Sequence, residues 1–157
     1  MKPDIDTTSS VSILGDRKIT QSNNIAAVFL LRNDGAALLQ LRDDKPSLRN
    51  AAKWVPPGGA VESCETLEMA AKRELREETD YDCHEIYWLT SFEDQVIGWP
   101  SYTLSVFWGP YDGVQPVHCH EGQDLRFVRR QQVSQYDIPS RLLPLWDQAL
   151  KKAKIKV

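Results

Sequence analysis

Cysteine is scarce in this chain: Cys64, Cys83 and Cys119 are the three among 157 residues. So odd and sparse a set does not make a disulfide framework and reads as reduced thiols, hence a cytoplasmic protein. Long apolar runs are missing too. No stretch approaches the ~20 apolar residues of a membrane-spanning helix, and Met1–Ser10 has Lys2 but no apolar run of a signal peptide behind it. There is no basic excess. A net charge of −3 argues against nucleic-acid and anionic-membrane partners, which want a basic face. It still allows a small anionic substrate if a bound cation supplies positive charge locally. Repeats, low-complexity tracts and interdomain linkers are absent as well.

What is present suits one globular domain: 41% hydrophobic and 26% charged residues, with enough length to bury a core. Residues 1–23 read as a loose polar arm, with Val11–Leu14 as a candidate edge strand, and residues 24–157 as the domain. Ile25–Leu31 and Ala36–Leu41 are apolar runs around Arg32-Asn33-Asp34-Gly35. That is a hairpin pattern, and continuous apolar character predicts strands covered on both faces. Lys53–Pro56 is a candidate short strand, which Pro56-Pro57-Gly58-Gly59 is expected to end. Thr66–Thr79 has neither Gly nor Pro, and Leu67, Ala71 and Leu75 recur every four residues, as on a helix with one apolar stripe. Further strands are expected over Glu85–Phe92, Tyr102–Trp108 and Leu125–Val128. A second helical segment is expected over Ser140–Ala153, with Pro144 early in it, where proline is tolerated. Strands, helix, strands, helix predict an α/β sandwich with helices on a mixed sheet.

Residues 62–80 carry seven acidic side chains against three basic ones. Glu74, Glu77 and Glu78 crowd the end of the first helix at spacings that share a face. Like charges there repel one another and meet the negative pole of the helix dipole. A divalent cation removes both penalties, and carboxylate oxygens are what Mg²⁺ prefers. For an arbitrary helix a solvated acidic face would be the better reading. The Gly-Gly loop just upstream shifts the balance.

Gly59, five residues, Glu65, seven residues, then Arg73-Glu74-Leu75-Arg76-Glu77-Glu78-Thr79-Asp80-Tyr81 resembles the Nudix box, G-x5-E-x7-R-E-U-x-E-E-x-G-U. Every charged position matches. Asp80 stands where the family has glycine, Tyr81 fills an apolar slot, and Cys64 stands where many members have a glycine before the first glutamate. Trp54 and Pro57-Gly58-Gly59 resemble the family's entry to the box, and the likeness extends over about residues 25–150. Because the family glycine follows a helix, the Asp80 departure is expected to be structural: a left-handed residue is common there, and Asp tolerates that conformation better than most.

The resemblance implies an α/β/α sandwich with a mixed sheet and a loop–helix–loop catalytic motif. It implies a hydrolase acting on phosphoric anhydride bonds, cleaving a nucleoside diphosphate linked to another moiety, with Mg²⁺ as cofactor and Mn²⁺ as an alternative. Glu74 and Glu78 become metal ligands, and Glu77 a ligand or a catalytic group acting through bound water. Arg73 holds the glutamates in register with Glu65 in support, and Gly58 and Gly59 approach the substrate. A bound cation lowers the pKa of a water that attacks one phosphorus. Glu121, in the polar loop His120-Glu121-Gly122-Gln123, is expected to add a late acidic group that binds a second cation or takes the proton. Glu93 and Asp94 are rivals for that role, and Gly122 permits the tight turn.

Weaker signals have plainer readings. His118-Cys119-His120 with Cys83-His84 lacks zinc-site spacing, so no structural zinc is expected. Phe92, Trp99 or Tyr102 could stack on a nucleobase, or simply pack. Lys151–Lys156 reads as a solvated helix end. The rival to an enzyme is a Nudix-fold sensor that binds a nucleotide or metabolite without cleaving it. Loss of a box carboxylate would have favoured that reading, and none is lost. An RNA-directed activity would want a basic groove. A homodimer is left open.

Overall fold

The computed structural model describes residues 23–157; all of the polar arm but its last residue, with the candidate strand at Val11–Leu14, lies outside the described residues. A seven-stranded mixed sheet is built on β1 (Asn24–Leu31). Along its whole length β1 pairs in parallel with β6 (Tyr102–Pro110), which pairs antiparallel with β5 (Tyr87–Asp94). The other edge of β1 is shared. β4 (Gly58–Ala60) pairs with residues 25–27, whereas β2 (Ala37–Leu41) meets β1 only at Leu31↔Ala37. β2 continues outward to β3 (Trp54–Val55) and β7 (Asp124–Val128). The sheet therefore forks beside the middle of β1, where Val28 N–H donates to Pro57 O at 3.0 Å.

Continuous apolar strands covered on both faces are what the structure contains. Because side chains alternate along a strand, Phe29, Leu31, Ala37 and Leu39 pack on one face with Trp146 and Leu150 of α2 (Leu143–Ala153). Val28, Leu30 and Leu38 pack on the other with Ala71 and Leu75 of α1 (Leu67–Thr79). The helices thus sandwich the sheet.

Helix α1 starts at Thr66, whose hydroxyl accepts from Met69 N–H at 3.1 Å, satisfying a donor that a helix leaves free. It ends at Asp80 with φ 70°, the left-handed conformation expected there. Cys64 also has φ 66°, which accounts for glycine at that slot in the family pattern.

Two expectations need correction. Pro56-Pro57-Gly58-Gly59 does not end the sheet, since Gly58–Ala60 pairs with β1 as β4. Both prolines lie before the paired residues, and a Cβ on Gly58 would strike Ala26 O, so glycine permits this close pairing. The second helical segment is divided: Ser140–Leu142 is a 3₁₀ turn that leads into α2. The sequence reading also missed a 3₁₀ stretch at Arg130–Gln135.

Candidate active site

The apolar stripe of α1 runs into Glu78. Leu75 is fully buried and Glu78 is 3% exposed, so this carboxylate faces inward, while Glu77 on the next position stays exposed. Inside, Glu78 Oε1 accepts from Gln40 Nε2 at 3.1 Å and Gly58 N–H at 3.3 Å. Gln40 is the one polar residue of the run Ala36–Leu41 and is itself buried. That interruption was the only sequence signal of its role.

Arg73 organises the other carboxylates. Its Nε donates to Glu65 Oε2 at 2.6 Å, and its Nη2 to Glu65 Oε1 at 2.9 Å and to Ala60 O at 3.0 Å. Its Nη1 reaches Glu74 at 2.9 Å and Glu77 at 3.3 Å. This bidentate clamp ties the box loop to the helix. Hydrogen bonding from Arg73 lowers the pKa of Glu65, and Glu65 in return raises that of Arg73. Gly59 lies against Glu74, and a Cβ there would overlap its carboxylate.

Glu74, Glu78 and Glu121 line one cavity of about 360 Å³, along with Gly58 and Gly59. Glu77 does not line it. The cavity has an apolar wall that includes Ile25, Phe29 and Leu104. Burial pushes the Glu78 carboxyl up to about 9, with the Glu121 and Glu74 charges adding to the effect. Burial also raises Glu74. Three converging carboxylates, one nearly dry and protonated for want of positive charge, are the donor set of a hard divalent cation. The residues present fit Mg²⁺ or Mn²⁺.

Glu121 stands at the loop before β7. Gly122 beside it has φ 83° and sits too close to Leu41 O for a side chain, so the tight turn does require glycine. Of the rivals, Asp94 is 5% exposed and paired with Arg141, whose Nε donates at 2.9 Å and Nη2 at 3.0 Å, and with Tyr102 Oη at 2.5 Å. Burial alone would raise its pKa, but these two partners hold it below the usual carboxylate range. Glu93 is exposed and accepts from Ser101 Oγ at 3.1 Å. Neither lines the cavity.

The cavity also holds residues that the sequence reading passed over. Arg42, Arg49 and Arg141 line it. Arg49 lies over the Tyr102 ring at 4.4 Å and the Trp99 ring at 5.7 Å. Its Nε is buried without a hydrogen-bond partner. Tyr102 lines the cavity, whereas Phe92 packs against the core. All three cysteines are free, with Cys64 and Cys119 exposed and Cys83 buried. Among the described residues no helix is long and apolar enough to cross a membrane.

Fold and site together define an α/β sandwich that gathers carboxylates on a loop–helix–loop beside a cavity. The chain belongs to the Nudix hydrolase family, whose enzymes act on phosphoric anhydride bonds: the NUDIX domain model matches residues 22–148. A Caenorhabditis elegans relative assigned to the nudix hydrolases is 42% identical over 84 residues, which is 52% of this chain but only 22% of that protein. Among solved structures, a MutT protein from Methanosarcina mazei Go1 superposes with a TM-score of 0.71 at 20% identity, covering 87% of this chain and 99% of that one. The NUDIX domain of NrtR from Shewanella oneidensis, complexed with ADP ribose, superposes with a TM-score of 0.70 at 18% identity, covering 86% and 90%. At these identities the structures share the fold.

Proposed function

We propose that this chain hydrolyses the diphosphate linkage of a nucleoside diphosphate joined to another moiety, with Mg²⁺ as cofactor and Mn²⁺ as a substitute. The observation that carries the reading is the convergence of Glu74, Glu78 and Glu121 on a cavity of about 360 Å³ that has both an apolar wall and arginines, a size and lining suited to a small ligand. The ADP ribose bound by the similar NrtR domain is a compound of this class.

In this reading Glu74 and Glu78 hold the cation, and Glu77, outside the cavity, contributes through water. A cation bound there would neutralise phosphate charge and acidify a water. Arg73 keeps the glutamates in register from outside the reaction. Gly58 and Gly59 line the cavity, and the diphosphate approaches their backbone there. Glu121 accepts a proton from the attacking water. The new bond joins that water's oxygen to one phosphorus, the bridging P–O bond breaks, and the leaving group departs with the other phosphate. General-base help of this kind is worth roughly 10²–10⁴-fold.

The test is a phosphate- or phosphomonoester-release screen with Mg²⁺ over modified nucleoside triphosphates, ADP-ribose, nucleotide sugars and dinucleoside polyphosphates. Turnover of one class, lost in excess EDTA, is expected. Tight nucleotide binding without turnover under Mg²⁺ or Mn²⁺ would overturn the proposal in favour of a sensor. For the base, Glu121→Gln is compared with Glu93→Gln and Asp94→Asn. A wild-type kcat in the first with a loss in another would reassign the role.

A further inference from the structure

The cluster His118-Cys119-His120 carried no zinc-like spacing in sequence, but the fold brings a third ligand to it. Asp80, 38 residues from His118 in the chain, places Oδ2 at 2.9 Å from His118 Nδ1 and 2.7 Å from His120 Nε2. We propose that Asp80, His118 and His120 form a second cation site, selective for a transition-metal ion of the zinc type and separate from the carboxylate site in the cavity.

The geometry follows from local structure. Residues 118 and 120 stand two apart in a loop, and both turn their rings toward the Asp80 carboxylate. That segment is pinned to the end of α1 by His118 N–H donating to Thr79 O at 2.9 Å and His120 N–H to Glu78 O at 3.0 Å. The left-handed turn at Asp80, φ 70°, leaves its carboxylate on the exposed surface beside both rings. All three ligand atoms lie within 4.8 Å of one another. Metal–ligand bonds of about 2.0–2.1 Å in tetrahedral arrangement require ligand atoms roughly 3.3 Å apart. The two O···N distances need to widen by about half an ångström, and the two ring nitrogens, within 4.8 Å of each other, settle to the same spacing by rotation of exposed side chains. A cation takes the place of the hydrogens now directed at Oδ2 and uses the lone pairs of two neutral imidazoles.

The ligand set decides the metal. Two imidazoles and one carboxylate suit Zn²⁺ and its neighbours, whereas Mg²⁺ prefers oxygen alone. Cys119 is not a ligand, because its thiol turns toward the carbonyls of Glu121 and Gly122. The remaining coordination positions therefore face solvent. None of the three ligands lines the cavity, but His120 immediately precedes Glu121, so occupancy would stiffen the segment from which Glu121 projects.

The experiment is a Zn²⁺ titration of the full chain against a chromophoric chelator, in a large excess of Mg²⁺ that occupies the carboxylate site. One equivalent of Zn²⁺ is expected to bind. Asp80→Gly and His118→Gln should each weaken it by more than about tenfold, since loss of an outer-shell partner alone costs 10–100-fold. Glu78→Gln should leave it unchanged. Asp80→Gly puts glycine at a left-handed residue, so the fold is retained, and circular dichroism checks both variants. No Zn²⁺ binding under excess Mg²⁺ would overturn the proposal. So would binding indifferent to Asp80→Gly, or binding lost in Glu78→Gln.

Discussion

Glu78 lies on α1 between Glu77 and Thr79, with its carboxylate nearly removed from water. It accepts hydrogen bonds from Gln40 and Gly58 but has no cationic side chain among those partners. In the cation-free protein burial and the Glu121 and Glu74 charges push its pKa up to about 9. The unfolded chain ionises this group near its ordinary value of 4.5, while the folded chain still holds the proton. The stability contributed by the raised pKa is therefore full below about pH 4.5 and is lost progressively as the pH rises toward 9. Glu78→Gln is expected to stabilise the cation-free protein at pH 8 by about 1–3 kcal/mol, the scale of a poorly satisfied buried polar group. That gain should vanish near pH 4, and Mg²⁺ should stabilise the wild type more than the variant. Denaturant melts in EDTA at the two pH values check it. The same variant should lose at least about 100-fold in kcat if Glu78 is the direct ligand proposed above, since a direct ligand matters more than its supports. Arg73 invites a second substitution. Lysine keeps the charge but cannot make the forked contact with Glu65 while reaching Glu74, so Arg73→Lys should lower kcat by roughly 10–100-fold. Unchanged kinetics would reduce the clamp to a surface ion pair.

The elements show which parts of this site can be read from sequence and which cannot. The box helix was legible because period, cap and charge agree over one continuous segment, and β1 and β2 were legible because their apolar runs are bounded by an Asp-Gly turn. The strand β4 was not, since its signal is two glycines that local rules assign to a loop; only the bare edge of β1 makes Gly58–Ala60 a strand. Nor could spacing separate Glu77 from Glu78, neighbours of which one is buried only because the sheet covers it. The ligand set Asp80, His118 and His120 and the position of Arg49 depend on the path of loops, which has no period to read. Because β4 lies beside β1 in the sheet and also packs against α1, it allows a sharp test. Gly59→Ala adds a Cβ that overlaps the Glu74 carboxylate. The side chain of Glu74 must swing away, and displacement of about 1 Å can cost on the order of 100-fold in rate. Steady-state assays should show that loss even at saturating Mg²⁺, with the melting temperature lowered only modestly.

At the scale of the molecule, the cavity takes its apolar wall from the α2 side of the sheet and its carboxylates from α1 and the loop before β7, because the fork beside β1 lets the two sides meet. Its positive charge is unevenly matched. Arg141 is spent on Asp94, which leaves that cation to hold the wall together. Arg49 is different: its guanidinium is stacked on Tyr102 and near Trp99, while its Nε is buried with no acceptor. Buried donors are almost always satisfied, and a cation held over aromatic rings at the edge of this cavity is positioned to receive an anionic acceptor from the substrate. A hydrogen bond to a charged group contributes about 1.5–3 kcal/mol, which corresponds to roughly a 10- to 100-fold change in an equilibrium. Arg49→Met keeps the aliphatic packing and removes only the charge and donors. It should therefore raise KM by about that factor, with kcat changed much less, because the contact is made equally before and during the reaction. Arg49→Lys, which restores charge without the planar fork, should recover part of the loss. The kcat and KM of the two variants on the substrate found in the screen decide the matter. If KM stays at the wild-type value in Arg49→Met, the Nε has a water for its partner and the substrate's anionic groups lie wholly on the carboxylate side of the cavity.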